Sequence, residues 1–365
     1  MLSAGAGART PLPQLAGYTY SLRETLSARD AGRLLCLRLE TNYSCNLACC
    51  YCYASKQRHA ARMMEIDSAK SVIDQACDFG VRSVVYLGGG EPLLYPHFWP
   101  LVQYMARRGI VPVVFTNGTL MTPDIAERLF DLGASVLVKC DGSEATQDQM
   151  TGQGTYRLIR AAFEMLLRSG FANSRAGPVT RLGVSICATR TNYQEIPAMW
   201  RNLRELHVYP NVERATAVGT VDPRLVIGPN ESRWLFDTLN SIDQREFGMN
   251  WPAPYSALPA HSCYIFLTGC HITVEGGVSL CPEMPPVAHL ADAPLGAILR
   301  RSPFREARDL DKRIMPPCAS CCFLAVCMGG CRSKAYWSGG SVFGPDPLCP
   351  LLAPPAGVVR ETEDP

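Results

Sequence analysis

Three cysteines near the start of the chain have a spacing that suits a metal cluster. They are Cys45, Cys49 and Cys52, in a Cys-x3-Cys-x2-Cys arrangement. Three thiolates at this spacing can hold three irons of a [4Fe–4S] cube, and no fourth cysteine stands at a matching position nearby. Iron–sulfur electron carriers use four thiolates, whereas catalytic metal sites keep one coordination position open. The motif therefore predicts a cluster whose fourth iron binds something other than protein.

The same spacing, with Tyr51 just before the third cysteine, resembles the cluster motif of radical S-adenosylmethionine (radical SAM) enzymes. The resemblance implies that the open iron binds the amino and carboxylate groups of SAM. It also implies that one electron from the cluster cleaves SAM to methionine and a 5′-deoxyadenosyl radical, which abstracts hydrogen from the substrate. For the triplet alone, the alternative is a zinc knuckle or a set of buried thiols, since free cysteine is often buried.

Composition is that of a soluble globular protein with room for two modules. The chain has 365 residues, of which 47% are hydrophobic and 19% charged, and its formal net charge is +2. It has no basic block for nucleic acid and no apolar run near the roughly 20 residues that cross a membrane. Seventeen cysteines without a secretion signal indicate metal rather than disulfides. We expect a cytoplasmic, oxygen-sensitive protein.

The segments that must position the cysteines alternate between strands and helices. The first strand leads straight into the cysteine loop, and this alternation predicts a parallel α/β sheet with right-handed crossovers. The resemblance implies a six-fold (βα) partial TIM-like barrel, and parallel barrels place the active site at the carboxyl ends of the strands. The predicted strands are Leu34–Leu39, Ser83–Leu87, Val111–Phe115, Ala134–Val138, Leu182–Ala188 and Val208–Glu213.

Glycine-rich and polar segments follow these strands. Gly89-Gly90-Glu91-Pro92, after the second strand, resembles the GGEP motif of the family. The resemblance assigns it to the methionine end of SAM, with Glu91 near the SAM amino group. It also implies that Asn117 lines the same pocket, that Asp141 is a candidate for the ribose, and that Tyr51 meets the adenine edge. Tight connections and ordinary turn residues are the alternative interpretation.

A second cysteine-rich region follows a proline-rich segment near residue 255. Its spacing resembles the SPASM extension of radical SAM enzymes, which holds auxiliary [4Fe–4S] clusters, whereas a zinc-stabilised subdomain is the alternative. The family pattern implies two auxiliary clusters. The first would be held by Cys263, Cys270, Cys281 and Cys331, and the second by Cys318, Cys321, Cys327 and Cys349. The spacing before Cys270 varies among members, and without Cys270 the first cluster would have an iron open to substrate.

The resemblance divides the chain into four parts. They are an N-terminal extension (1–33), the radical SAM barrel (34–250), the SPASM domain (251–350) and a tail (351–365). Outside the cluster motifs, Cys140 stands at the carboxyl end of a predicted strand. There its thiol could return hydrogen to a substrate radical, as an epimerising enzyme requires, with ordinary packing as the alternative.

Members of the family with this extension mostly modify ribosomally made peptides or proteins by oxidation, cross-linking or epimerisation, which makes such a substrate the leading expectation. Only 44 residues precede Cys45, so we expect any precursor-recognition domain to be a separate protein. An electron donor such as flavodoxin or ferredoxin is implied as well. Sulfatase-maturing members have an aspartate directly after the equivalent cysteine, whereas in this chain the acidic residue is Glu283, two residues after Cys281. This difference disfavours a sulfatase-maturing role. The alternatives are tailoring of a sugar or nucleoside natural product, or a non-catalytic iron–sulfur carrier.

Overall fold

The computed structural model describes residues 10–54, 62–87, 89–172 and 177–352. Gly88, the first part of the predicted N-terminal extension and most of the predicted tail lie outside these ranges. The strands are β1 (Gln14–Leu15), β2 (Cys36–Leu39), β3 (Ser83–Tyr86), β4 (Val111–Thr116), β5 (Ser135–Lys139), β6 (Val179–Thr180), β7 (Leu182–Ala188), β8 (Tyr209–Arg214), β9 (Gly269–Ile272), β10 (Gly277–Ser279) and β11 (Ala288–His289).

Helices connect these strands. They are α1 (Leu22–Asp30), α2 (Ile66–Cys77), α3 (Phe98–Arg107), α4 (Pro123–Asp131), α5 (Glu144–Thr151), α6 (Thr155–Arg168), α7 (Ile196–Glu205), α8 (Pro229–Glu246), α9 (Ile265–Thr268), α10 (Leu295–Leu299), α11 (Phe304–Arg308), α12 (Leu310–Arg313), α13 (Leu324–Cys327) and α14 (Arg332–Gly339). In the described part of the chain, no helix is both long and apolar enough to cross a membrane.

The six strands expected from the sequence form one parallel array. Strands β2, β3, β4, β5, β7 and β8 lie side by side in that order, and each pairs in parallel with the next. The register places Leu39 opposite Tyr86, so the cysteine loop after β2 and the glycine-rich turn after β3 begin at the same edge of the sheet. The protein is therefore an α/β protein with a parallel-stranded sheet, as the alternation predicts.

Side chains along each strand alternate between two environments, because successive residues of a strand point to opposite faces. In β2, Leu37 and Leu39 are fully buried in the main core between the sheet and its helices, while Arg38 faces a cavity on the other side. In β5, Val138 packs into that core and Leu137 lines the cavity. This alternation decides which cysteines can face the cavity.

The helices fix the strand ends by burying one face each. Helix α2 packs with four buried side chains at helical spacing, and such burial stabilises a domain by about 1.5–3 kcal/mol for each large aliphatic residue. Helix α4 begins with Thr122, whose hydroxyl accepts the N–H of Ile125 at 3.3 Å, followed by Pro123 in the first turn. Such a cap satisfies a backbone donor that the helix leaves open.

The cysteine-rich C-terminal region continues the main sheet. Strand β9 pairs in parallel with β2, with Cys270 opposite Leu37 and His271 opposite Arg38, and β10 and β11 extend the sheet beyond it. The sequence analysis did not predict β9, since its pairing partner lies far away in the chain. The division of the chain at residue 250 remains a prediction, and the sheet crosses it.

A buried carboxylate joins the end of the barrel to the last cysteines. Asp346 is 1% exposed, and its Oδ2 accepts both Nη2 of Arg214 at 2.9 Å and the N–H of Cys331 at 2.8 Å. Its Oδ1 accepts the N–H of Leu348 at 2.9 Å. Arg214 ends β8, so this one side chain ties a barrel strand to both segments that carry Cys331 and Cys349.

Candidate active site

The three cysteines of the N-terminal motif lie together at the carboxyl end of β2. Cys45, Cys49 and Cys52 all line a cavity of about 280 Å³ on the inner face of the sheet. The backbone folds back within the motif, since the N–H of Cys52 donates to the carbonyl of Cys49 at 3.2 Å. The loop is thus a short turn that presents thiols to one cavity, the arrangement that a shared cluster requires.

Gly89 and Gly90 hold this loop in place. The N–H of Gly90 donates to the carbonyl of Asn42 at 2.7 Å, next to the carbonyl of Ser44. A side chain at Gly90 would collide with the Ser44 carbonyl, and a Cβ at Gly89 would lie 2.5 Å from the Asn42 oxygen, with Gly89 at a φ of +66°. Both glycines are therefore needed for close backbone approach. Pro92 begins the short 3₁₀ turn that follows, Pro92–Leu94.

Glu91 connects the ends of β3 and β4. Its carboxylate is 3% exposed and accepts the hydroxyl of Thr116 at 2.7 Å, the N–H of Asn117 at 2.8 Å and the N–H of Leu93 at 3.2 Å. Burial raises the pKa of Glu91 despite these donors. A carboxylate has about four acceptor positions. One therefore remains for a donor in the cavity, which Glu91 and Asn117 both line.

Asp141 and Tyr51 form a buried polar cluster behind the cavity wall. The carboxylate of Asp141 is fully buried, accepts the hydroxyl of Tyr51 and the N–H of Cys187 at 2.7 Å, and lies 3.4 Å from Nζ of Lys139. Tyr51 and Lys139 line the cavity, whereas Asp141 is absent from its described lining. The contact of Asp141 with a ribose remains a prediction, and in the structure its carboxylate is occupied by protein donors.

Cys140 stands at the carboxyl end of β5, as expected, but does not face the cavity, and its role in returning hydrogen stays a prediction. It follows Lys139 at the end of β5, and the alternation of the strand turns its side chain toward the main core. Its thiol lies 3.9 Å from the carbonyl of Gly142, and burial raises its pKa to about 12. The cysteine that lines the cavity on this side is Cys187, at the end of β7. Ordinary packing is therefore the better interpretation of Cys140.

Three of the cysteines assigned to the first auxiliary cluster line the same cavity as the N-terminal motif. They are Cys263, Cys281 and Cys331. Cys270 is different, and its assignment as the fourth ligand stays a prediction. It is fully buried in the main core opposite Leu37 in β2, on the face of the sheet that points away from the cavity. Successive side chains of β9 point to opposite faces of the sheet, so the thiol of Cys270 lies on the face opposite to the cavity that the other three thiols line.

The remaining C-terminal cysteines form a second group outside the described cavity lining. Burial, and after it the nearby Cys349, raises the pKa of the Cys327 thiol to about 11. Cys349 and Cys321 act in the same way on Cys318, although burial is again the largest cause of its raised pKa. These mutual effects place the four thiols Cys318, Cys321, Cys327 and Cys349 in one neighbourhood.

The donor chemistry of both groups fits iron–sulfur clusters, because thiolates are the ligands that such clusters use. Within the described ranges, no three Cys, His, Asp or Glu side chains converge closely enough for a single metal ion.

Two family models match the chain. The model of the radical SAM superfamily matches residues 39–209, and the model of the SPASM iron–sulfur cluster-binding domain matches residues 263–322. The chain is a radical SAM enzyme. Membership implies SAM and a [4Fe–4S] cluster as cofactors, and the SPASM domain implies further iron–sulfur clusters.

Curated relatives match most of this radical SAM enzyme. The mycofactocin maturase MftC of Mycolicibacterium smegmatis is 27% identical over 341 residues, which cover 86% of this chain and 82% of the maturase. An AdoMet-dependent heme synthase of Methanosarcina barkeri is 26% identical over 356 residues, which cover 89% of this chain and 98% of the synthase.

Solved structures share the fold of this radical SAM enzyme. A structure of anSMEcpe with bound AdoMet and the Cp18Cys peptide has a TM-score of 0.64 at 16% identity. The match covers 87% of this chain and 94% of the anSMEcpe chain. The structure of Streptococcus suis SuiB bound to precursor peptide SuiA has a TM-score of 0.65 at 18% identity. The match covers 90% of this chain and 79% of the SuiB chain. At these identities the likeness shows the fold.

The sequence analysis considered Glu283 but missed several other residues of the radical SAM cavity, which are Lys334, Thr216, Lys139 and Cys187. Lys334 donates to the carbonyl of Arg214 at 2.7 Å and to the hydroxyl of Thr216, which itself donates to Glu283 Oε2 at 3.0 Å. Lys334, Thr216 and Glu283 all line the cavity near Cys331. Lys139 and Cys187 line it from β5 and β7, and counting in twos along their strands would have placed both on the inner face.

Proposed function

We propose that this radical SAM enzyme modifies a ribosomally made peptide or protein. The observation that carries the proposal is a single cavity lined by Cys45, Cys49 and Cys52 on one side and by Cys263, Cys281 and Cys331 on another. A substrate between them can meet both sets of thiols. Similarity to the mycofactocin maturase over 86% of the chain supports a maturation reaction.

The proposed cofactor sites follow from the cavity. The N-terminal thiols hold the catalytic [4Fe–4S] cluster, which, when bound with SAM, supplies the electron that yields the 5′-deoxyadenosyl radical. Glu91 offers its remaining acceptor position to the SAM amino group, and Asn117 and Tyr51 line the same pocket. Cys263, Cys281 and Cys331 hold the first auxiliary [4Fe–4S] cluster, whose fourth iron is left to substrate. The second is held by Cys318, Cys321, Cys327 and Cys349.

Residues of the cavity itself can bind and deprotonate the substrate. Glu283 is oriented by Thr216, which in turn contacts the ammonium group of Lys334. A carboxylate held this way can accept a proton from the substrate. Lys139 is the cation on the opposite side, where it can pair with a substrate carboxylate.

The character of the cavity favours a peptide over a sugar. Leu47, Leu87, Phe115 and Leu137 contribute apolar walls, as peptide side chains need. Among the described lining residues the carboxylates are Glu91, Glu213 and Glu283, and Glu91 is largely occupied by protein donors. A sugar site would need more free polar groups than this.

A second candidate is the modification of a small molecule. It is favoured by the 26% identity to an AdoMet-dependent heme synthase over 89% of the chain. We further propose that a flavodoxin or ferredoxin supplies electrons and that a separate protein recognises any precursor peptide.

The test begins with anaerobic reconstitution with iron and sulfide, followed by dithionite and SAM. We expect about twelve irons for three cubane clusters and formation of 5′-deoxyadenosine, which a Cys45/Cys49/Cys52→Ala variant abolishes. Mass spectrometry of short peptides encoded beside the gene then separates the two substrate classes. A mass change in such a peptide supports the peptide reading, whereas none in any of them, with intact SAM cleavage, refutes it.

A further inference from the structure

Arg38 is a cation in the wall between two cavities. It lies on the inner face of β2 and lines the cavity described above as well as a second cavity of about 310 Å³ beneath it. Cys263 lines the same two cavities, so Arg38 and this proposed cluster ligand share one wall. The guanidinium carbon lies 5.9 Å from the ring centre of Tyr18, the other large side chain at this position.

This cation has no carboxylate partner among the described residues. In the described part of the chain, no carboxylate forms an ion pair with Arg38, and its Nε is buried without a hydrogen-bond partner. Arg204 and Arg214, two buried arginines, are paired with Asp243 and Asp346 at 2.7 and 2.9 Å, whereas the buried Arg332 donates to backbone carbonyls. Arg38 is half-buried and faces both cavities, so an anionic group bound there can pair with its guanidinium.

The groups around Arg38 identify what can balance it. Burial acts against its charged form, and the groups that most strongly favour that form are Tyr18, Cys263, Cys36 and Cys281, which together raise the pKa of Arg38. Tyr18 is neutral at physiological pH, because burial raises its pKa well above the usual value. Cys263 and Cys281 belong to the proposed ligands of the first auxiliary cluster, and thiols become anionic when they bind metal.

We propose that Arg38 is the counter-ion of the first auxiliary iron–sulfur cluster and sets its reduction potential. The inference rests on the auxiliary cluster proposed above. A cluster held by thiolates carries a net negative charge that grows on reduction, and a nearby fixed cation stabilises the reduced form more than the oxidised form. Arg38 therefore makes this cluster easier to reduce than it would be without the cation.

The test is a potentiometric titration, followed by EPR, of the full chain in the Cys45/Cys49/Cys52→Ala background. In this background only the auxiliary clusters are reduced, so two midpoint potentials are expected. Arg38→Gln should shift one midpoint to a more negative potential and leave the other unchanged, while Arg38→Lys should stay close to the parent. The matched control is Arg128→Gln, an exposed arginine 4.1 Å above the ring of Trp99, which should move neither midpoint.

The possible results separate this inference from the proposed function. Full iron with both midpoints unmoved in Arg38→Gln overturns the role of Arg38 and leaves the auxiliary clusters standing. A parent protein without auxiliary iron overturns both. If Arg38→Gln loses iron, Arg38→Lys decides: restored iron supports the counter-ion, whereas a folded Arg38→Lys protein that also lacks the cluster overturns it.

Discussion

Replacing Asp346 by Asn should loosen the contact between the barrel and the last cysteines. The oxygen that faces Arg214 and the Cys331 N–H would become an amide nitrogen in one of the two side-chain orientations, and in either orientation the charge is lost. The pair is 2% and 1% exposed, so Arg214 would remain a buried charge without compensation. Removing one partner of such a pair costs about 3–5 kcal/mol.

That cost can be read locally by hydrogen exchange. A loss of about 3 kcal/mol raises the equilibrium population of an open state by roughly a hundredfold. We therefore expect amides in peptides covering residues 331–349, including Cys331 and Leu348, to exchange about a hundred times faster in the metal-free protein. The reconstituted variant should also hold less auxiliary iron, because Cys331 loses its backbone anchor.

The matched control is Asp222→Asn. Asp222 pairs with Arg224 at 2.6 Å, but on the surface, where the side chains are 38% and 90% exposed. Water screens exposed pairs, so this variant should leave exchange in residues 331–349 unchanged. Equal exchange in Asp346→Asn and wild type would refute the reasoning, since it would mean that Arg214 needs no buried partner.

Three further predictions concern the cysteines and their loop. Gly90→Ala should abolish iron binding at the catalytic cluster while auxiliary iron is retained, because a Cβ at this position meets the Ser44 carbonyl. The control is Gly339→Ala, where an added Cβ has no atom within 4 Å, and iron is counted in both variants. Cys270→Ala should keep the full iron content and lose about 1 kcal/mol of stability, whereas Cys281→Ala should lose iron; loss of iron from Cys270→Ala would contradict the strand register. Cys140→Ala should form product at the wild-type rate per loaded enzyme, and a loss of product at normal iron content would return Cys140 to the reaction.

The fold was accessible from the sequence because its signals are local. Alternating apolar strands and capped helices, such as the one that starts with Thr122 and Pro123, predict a parallel α/β sheet without knowledge of any distant contact. Cluster motifs are local as well: Cys45, Cys49 and Cys52 belong to one turn.

What the sequence could not provide depends on contacts between distant segments. Strand β9 pairs with β2 across most of the chain, and no local pattern around Cys270 reveals that partner. The same holds for Glu91, whose carboxylate receives donors from β4 and the turn after it. The direction of the Cys140 side chain, in contrast, can be deduced from local sequence. Its strand alternates, and Lys139, one residue earlier, already occupies the cavity side.

Strand β2 links both halves of the proposed chemistry. Its carboxyl end leads into the loop of Cys45, its inner face carries Arg38 beside Cys263, and its edge fixes the register of β9. Side chains of paired strands share faces, so a slip of β9 by one residue would turn Cys270 toward the cavity and His271 toward the apolar core. His271 lies 3.3 Å from Glu40 on the inner side, and the slip would break this buried pair and place His271 among Leu37 and its neighbours, at a cost of several kcal/mol. The polar pair on one face and the aliphatic core on the other therefore hold the register that keeps Cys270 out of the cavity.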